Sequence, residues 1–105
     1  MTNDKTTLIE RILNAGCDLW EKNGSRAVTH RAIAAILGRN PSGVLYHFNY
    51  NMGELRDAVA VHAVETKRIG VILQLIVSTH PATAKINAAD RAEYLATLQP
   101  TVPNV

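Results

Sequence analysis

Between Trp20 and Phe48 the chain is cut at Asn23-Gly24, at Gly38 and at Pro41, and the apolar residues between these breaks recur at helical spacing. Punctuation this dense permits short helices joined by tight turns and little else. In the first helix, Thr6 or Thr7 is the cap, with Glu10 three residues beyond Thr7 in a capping-box arrangement. Leu8, Ile9, Ile12, Leu13, Gly16, Cys17, Leu19 and Trp20 then share one face, and Gly24 suits a left-handed C-terminal cap. Thr29 is the natural N-cap of a second helix, whose buried stripe is Ile33, Ile36 and Leu37 and whose stop is Gly38. After the turn Gly38-Arg39-Asn40, Asn40 caps a third helix and Pro41 takes its first position, where a missing N–H is no loss. Val44, Leu45 and Phe48 give that helix an apolar side, and Tyr46 and His47 put polar tips near its end. The order of elements reads as a helix-turn-helix.

The second half predicts a single long helix from about Met52 to Thr79, stopped by Pro81. Its seam is Leu55, Val59, His62, Thr66, Ile69, Leu73 and Ile76, in steps of four and three. Ile69–Val77 is dense in β-branched residues, so a buried strand is the alternative there. Asn87, with Asp90 three residues on, opens a short last helix through Leu98. The fold class expected is all-α. Residues 1–56 form the helix-turn-helix domain, 57–99 a helical dimerisation segment and 100–105 a flexible tail. The predicted core includes Ile12, Trp20, Ile33, Leu37, Val44, Phe48 and Leu55.

At 105 residues, with 47% apolar and 19% charged side chains, the composition is that of an ordinary globular domain. The single cysteine, Cys17, excludes a disulfide framework within the chain and any cysteine-rich zinc site. No leader or lipidation motif is visible at the start, and the longest apolar run is far short of a membrane span, so a soluble, cytoplasmic protein is expected. The net charge of +2 conceals an uneven distribution. From Glu21 to Glu54 no acidic residue intervenes, while Lys22, Arg26, Arg31 and Arg39 fall there, joined by His30 and His47. The remainder carries seven basic and nine acidic residues. A basic segment in an acidic remainder points to an anionic partner, nucleic acid first.

From about Leu8 to Val59 the sequence resembles the TetR family of bacterial transcriptional repressors. Ile12-Leu13-Asn14-Ala15 and Leu19-Trp20-Glu21-Lys22-Asn23-Gly24 are similar to that family's first helix and its closing glycine. Val28-Thr29-His30-Arg31-Ala32-Ile33-Ala34, followed by Gly38, is similar to the start of its helix-turn-helix. Asn40-Pro41-Ser42-Gly43-Val44-Leu45-Tyr46-His47-Phe48 aligns without gaps on its recognition helix. The resemblance implies binding of double-stranded DNA, with the recognition helix entering the major groove N-terminus first, so that small and polar residues lead it. Ser42 and Gly43 keep that end slim, and Arg39 and Asn40 reach bases or phosphates. Thr29, with His30 and Arg31 behind it, offers a helix N-terminus to a phosphate. Tyr46 and His47 touch the sugar-phosphate rail, by comparison with the family. The chain departs from the family at Leu45, where a tyrosine is usual, and at Asn49-Tyr50-Asn51-Met52-Gly53, where a lysine often opens the fourth helix. Because only about 46 residues follow Val59, the family's enclosed ligand pocket and small-molecule induction are not carried over.

One helix-turn-helix makes few base contacts, and such modules usually act in pairs. A homodimer is therefore expected, with Ile69, Ile72, Leu73, Ile76, Val77, Tyr94, Leu95 and Leu98 at its interface. A second reading is a truncated relative acting through protein contacts, either heterodimerising with a full-length repressor or blocking another protein through the apolar Ile69–Val77 surface. Elsewhere the plain reading of each residue is favoured. Cys17 and Trp20 are core residues, His62 is a satisfied histidine on the seam, His80 marks a helix end, and Lys67-Arg68 is a solvated face. No nucleophile-elbow, phosphate-loop or metal-ligand spacing connects the polar residues, so neither an enzyme nor a cofactor is expected.

Overall fold

The computed structural model describes residues 7–98, which form six α-helices: α1 Leu8–Asn23, α2 His30–Leu37, α3 Pro41–Tyr46, α4 Met52–Glu65, α5 Ile69–Val77 and α6 Ala88–Leu98. Short 3-10 turns at Ser25–Ala27 and Pro81–Lys85 join α1 to α2 and α5 to α6. The described residues contain no strand, so Ile69–Val77 is helical despite its β-branched composition. The alternative cap Thr6 and the tail at 100–105 lie outside the described residues.

Local chemistry sets most helix ends. The Thr7 hydroxyl accepts from the Glu10 N–H at 3.1 Å, and the Glu10 carboxylate accepts from the Thr7 N–H at 3.0 Å, which completes the capping box. Thr29 accepts from the Ala32 N–H at 3.1 Å, and Asn51 accepts from the Glu54 N–H at 3.0 Å. Gly38 closes α2 in the left-handed region at φ 67° and ψ 38°. Gly24, at φ 87° and ψ 176°, instead occupies an extended positive-φ region open essentially to glycine alone.

One cluster dominates the interior. Ile12, Trp20, Ile33, Val44, Phe48 and Leu55 are buried in it, with Leu37 half-buried at its margin. Each fully enclosed aliphatic side chain contributes about 1.5–3 kcal/mol relative to exposure. Val59, Ala60, Ala63, Val71 and Leu75 belong to the same cluster. The boundary expected between residues 56 and 57 therefore falls inside α4, and the core runs across it.

The single long helix expected from Met52 to Thr79 is instead two helices, broken at Thr66–Arg68. Lys67 takes a left-handed conformation at φ 58°, and the Arg68 N–H bonds back to the Ala63 carbonyl at 2.8 Å. This is a helix stop made without glycine. The Arg68 guanidinium donates to Asp18 and, at 3.2 Å, to Glu21, while the Gln74 amide donates to the Trp20 carbonyl at 3.1 Å. These bonds tie the turn and α5 to α1, and the hydrogen bond to Asp18 first of all favours the charged form of Arg68. The bend sends Val71 and Leu75 into the main cluster and Ile72 into a second one, with Ile86 and Tyr94.

Helices α1 and α4 approach closely at Gly16, where an added Cβ would lie 2.6 Å from Val59 Cγ2. Val59 is fully buried and stiff at χ1, so the helices must part to admit a methyl group. Gly16→Ala is expected to lower stability by about 1 kcal/mol, even after its gain in helix propensity, and the thermal midpoint by about 5 °C. A midpoint equal to or above the wild-type value in a thermal melt would contradict this packing.

Among the described residues no helix is long and apolar enough to cross a membrane.

Candidate nucleic-acid interface

Helices α2 and α3 pack on each other through Ile33 and Val44, both fully buried, with the three-residue turn Gly38-Arg39-Asn40 between them. The outer side of this pair carries most of the polar residues singled out from the sequence. Asn40 Oδ1 accepts from the Ser42 N–H at 2.9 Å and from the Ser42 hydroxyl at 2.7 Å. The cap thus uses the oxygen of Asn40 and leaves its amide N–H groups outward, together with the lone pairs of Ser42. Nothing lies within 4 Å of the place a Cβ would take at Gly43. The leading end of α3 is slim and open.

Behind the turn, a cleft of about 460 Å³ is lined by Leu8, Arg11, Arg39, Asn40 and Gly43 among others. It brings Arg11 of α1 to the same hollow as Arg39. Arg56 of α4 donates through Nε to the Val28 carbonyl at 3.1 Å, which sets a cation beside the Thr29 cap. Sequence reasoning missed both arginines, because they lie outside the acid-free segment and only the fold brings them near.

The remaining candidates divide. Arg31 is exposed, and Thr29 is half-buried with its oxygen engaged by its own helix. His30 is also half-buried, its Nδ1 3.3 Å from Met52 Sδ, so its ring is turned toward the start of α4. Tyr46 is 64% exposed, and its ring meets those of His47 and Tyr50 edge-on, with centroids 5.2 and 6.2 Å apart. Leu45 is half-buried and packs on the main cluster, so its side chain points away from this aromatic group.

Among the described lysines and arginines, Lys67 and Arg68 alone lie within 4.0 Å of a carboxylate. Lys67 pairs with Asp90 at 3.6 Å, Arg68 with Asp18 and Glu21, and His80 with Asp57 at 3.5 Å. Among the described residues, Lys22, Arg26, Arg31 and Arg39 have no carboxylate within 4.0 Å. Four cations held without partners leave a local field that favours an anionic ligand.

The expected dimer residues also divide. Ile72 and Tyr94 are enclosed with Ile86 inside the chain, because the bend before α5 turns this side of the helix toward α6, and they face no partner. Ile69, Val77 and Leu95 are 46%, 70% and 42% exposed, and Leu73, Ile76 and Leu98 are half-buried. Cys17 is enclosed, its thiol 3.7 Å from the Val59 carbonyl, and burial pushes its pKa up to about 11, which holds it as an unreactive thiol at neutral pH. Trp20 is buried with its ring edge-on to His80, and His62 Nε2 lies 2.7 Å from Asn14 Oδ1.

Comparison with models of known protein families, with curated proteins and with solved structures finds no match to this chain.

Proposed function

We propose that this chain is a sequence-specific, duplex-DNA-binding transcriptional regulator of the kind its TetR-like motif implies. It acts in the cytoplasm, as a repressor, on a palindromic operator. The observation that carries the reading is the set of unpaired cations around an open helix-turn-helix. Arg31 stands in the first turn of α2 and Arg39 just past its end, no carboxylate engages either among the described residues, and α3 leads with Ser42 and the unobstructed Gly43. Arg39 and Asn40 read bases or position phosphates, while Tyr46 and His47 lie along the sugar-phosphate strand. The chain works without an enzymatic step or a cofactor.

Two copies are needed to read two half-sites, and the exposed Ile69, Val77 and Leu95 are the side chains proposed to join them. Withdrawing these side chains from water drives the association.

Duplex affinity measured against salt tests the reading. Binding is expected to fall linearly on a log–log plot, with a slope of about −0.9 for each phosphate neutralised. Arg39→Ala is expected to weaken binding about tenfold and to flatten that slope by about 1. Tyr46→Ala is expected to weaken binding almost uniformly across sequences with the slope unchanged. Failure of the wild-type chain to retard any duplex at low salt, including DNA flanking its own gene, overturns the proposal.

A further inference from the structure

The turn between α3 and α4 holds two consecutive non-glycine residues in the left-handed region, Asn49 at φ 56° and Tyr50 at φ 54°. Asparagine tolerates this conformation, but an aromatic residue with a Cβ does not enter it freely. Three bonds hold the segment there. The Tyr50 N–H donates to the Leu45 carbonyl at 2.9 Å, the Asn49 side chain donates to Glu54 at 2.8 Å, and the Asn51 N–H donates to the Phe48 carbonyl at 3.0 Å. Little burial offsets the strain, because Tyr50 is 64% exposed, its ring edge-on to that of Tyr46 at 6.2 Å and 76°. The Tyr50 N–H closes α3 on the Leu45 carbonyl as the Arg68 N–H closes α4 on Ala63, but a second left-handed residue in succession, carrying an exposed aromatic ring, goes beyond what a helix stop needs.

We propose that Tyr50 is a second phosphate-anchoring residue of the duplex interface, its hydroxyl donating to the sugar-phosphate strand beside Tyr46. The inference rests on the duplex-binding reading above. Two phenols side by side, in a stretch with no acidic residue between Glu21 and Glu54, offer uncharged donors to an anion. The nearest carboxylate along the chain, Glu54, is taken up by the Asn49 side-chain amide at 2.8 Å. Leu45 packs inward on the main cluster, and Tyr50 supplies a phenol from the next turn.

Because the contact does not depend on base sequence, a mixed-sequence duplex of about 30 base pairs in about 50 mM salt reads it without knowledge of the operator. Tyr50→Phe keeps the ring and removes the donor, and is expected to weaken binding about fivefold with the salt slope unchanged. Tyr50→Gly relieves the left-handed strain and is expected to raise the thermal midpoint by about 4 °C while binding falls at least fivefold. Opposite signs for stability and binding separate this role from a structural one. Wild-type affinity in both variants overturns the inference and leaves the duplex-binding reading standing. Loss in Tyr50→Gly with none in Tyr50→Phe also overturns it, since the ring and not the hydroxyl would then be responsible. A wild-type chain that binds no duplex overturns both.

Discussion

Gly43→Glu is expected to leave the fold intact and to weaken duplex binding about a hundredfold, equivalent to about 2.7 kcal/mol. Nothing lies within 4 Å of the added Cβ, so the side chain enters open space. Residue 43 is in the first turn of α3, where a carboxylate interacts favourably with the positive end of the helix dipole and a glycine is a poor helix former. Stability should therefore stay level or rise slightly. In the proposed complex, however, the same carboxylate sits at the leading end of α3 and faces phosphates and acceptor base edges. Thermal melts beside fluorescence anisotropy on a labelled duplex give both readings from one preparation. Unchanged affinity would mean that α3 does not lead into DNA.

The second large effect separates two side chains of α5 that look alike in sequence. Ile72 is fully buried against Ile86 and Tyr94, whereas Val77 is 70% exposed. Ile72→Asp places an unpaired carboxylate among hydrocarbon and is expected to cost about 4 kcal/mol or more, a large fraction of the stability of a domain this size. The thermal midpoint should fall by about 20 °C. Val77→Asp should keep stability within about 0.5 kcal/mol of wild type, yet convert the proposed dimer to a monomer. Melts and sedimentation velocity at micromolar concentration decide both. A stable Ile72→Asp contradicts the second cluster; a wild-type monomer, or a Val77→Asp dimer, contradicts the proposed interface.

The N-terminal elements were legible because their ends are written in local chemistry. The Thr7–Glu10 capping box, the Thr29 and Asn40 caps, Pro41 at the first helical position and Gly38 in the left-handed region each depend on residues a few positions apart. The break at Thr66–Arg68 has no such signature. Lys67 is an ordinary helix former, and the apolar steps continue across it through Thr66 and Ile69. What turns the chain is tertiary: Arg68 meets Asp18 and Glu21, some fifty residues away, and Gln74 meets the Trp20 carbonyl. The same bend hides Ile72 and Tyr94, which periodicity alone assigned to a partner.

Site residues followed the same rule. The exposure of Arg39, Ser42, Gly43 and Tyr46 was readable because Asn40 and Pro41 fix where α3 begins. Arg11 and Arg56 were not, since helix packing rather than spacing brings them to the cleft and to Val28. The packing of His30 was hidden for a related reason: Met52, 22 residues on, meets its ring. Left-handed backbone at Tyr50 runs against residue preference and leaves no mark in a pattern.

The most direct test is a titration of the ¹⁵N-labelled chain with a duplex at low salt, followed by amide chemical shifts. Perturbations are expected at residues 29–31 and 39–50, with α5 and α6 unmoved apart from dimer contacts. Shifts confined to α5 and α6, or none at any DNA concentration, would contradict the assignment of α2 and α3 as the DNA-binding face.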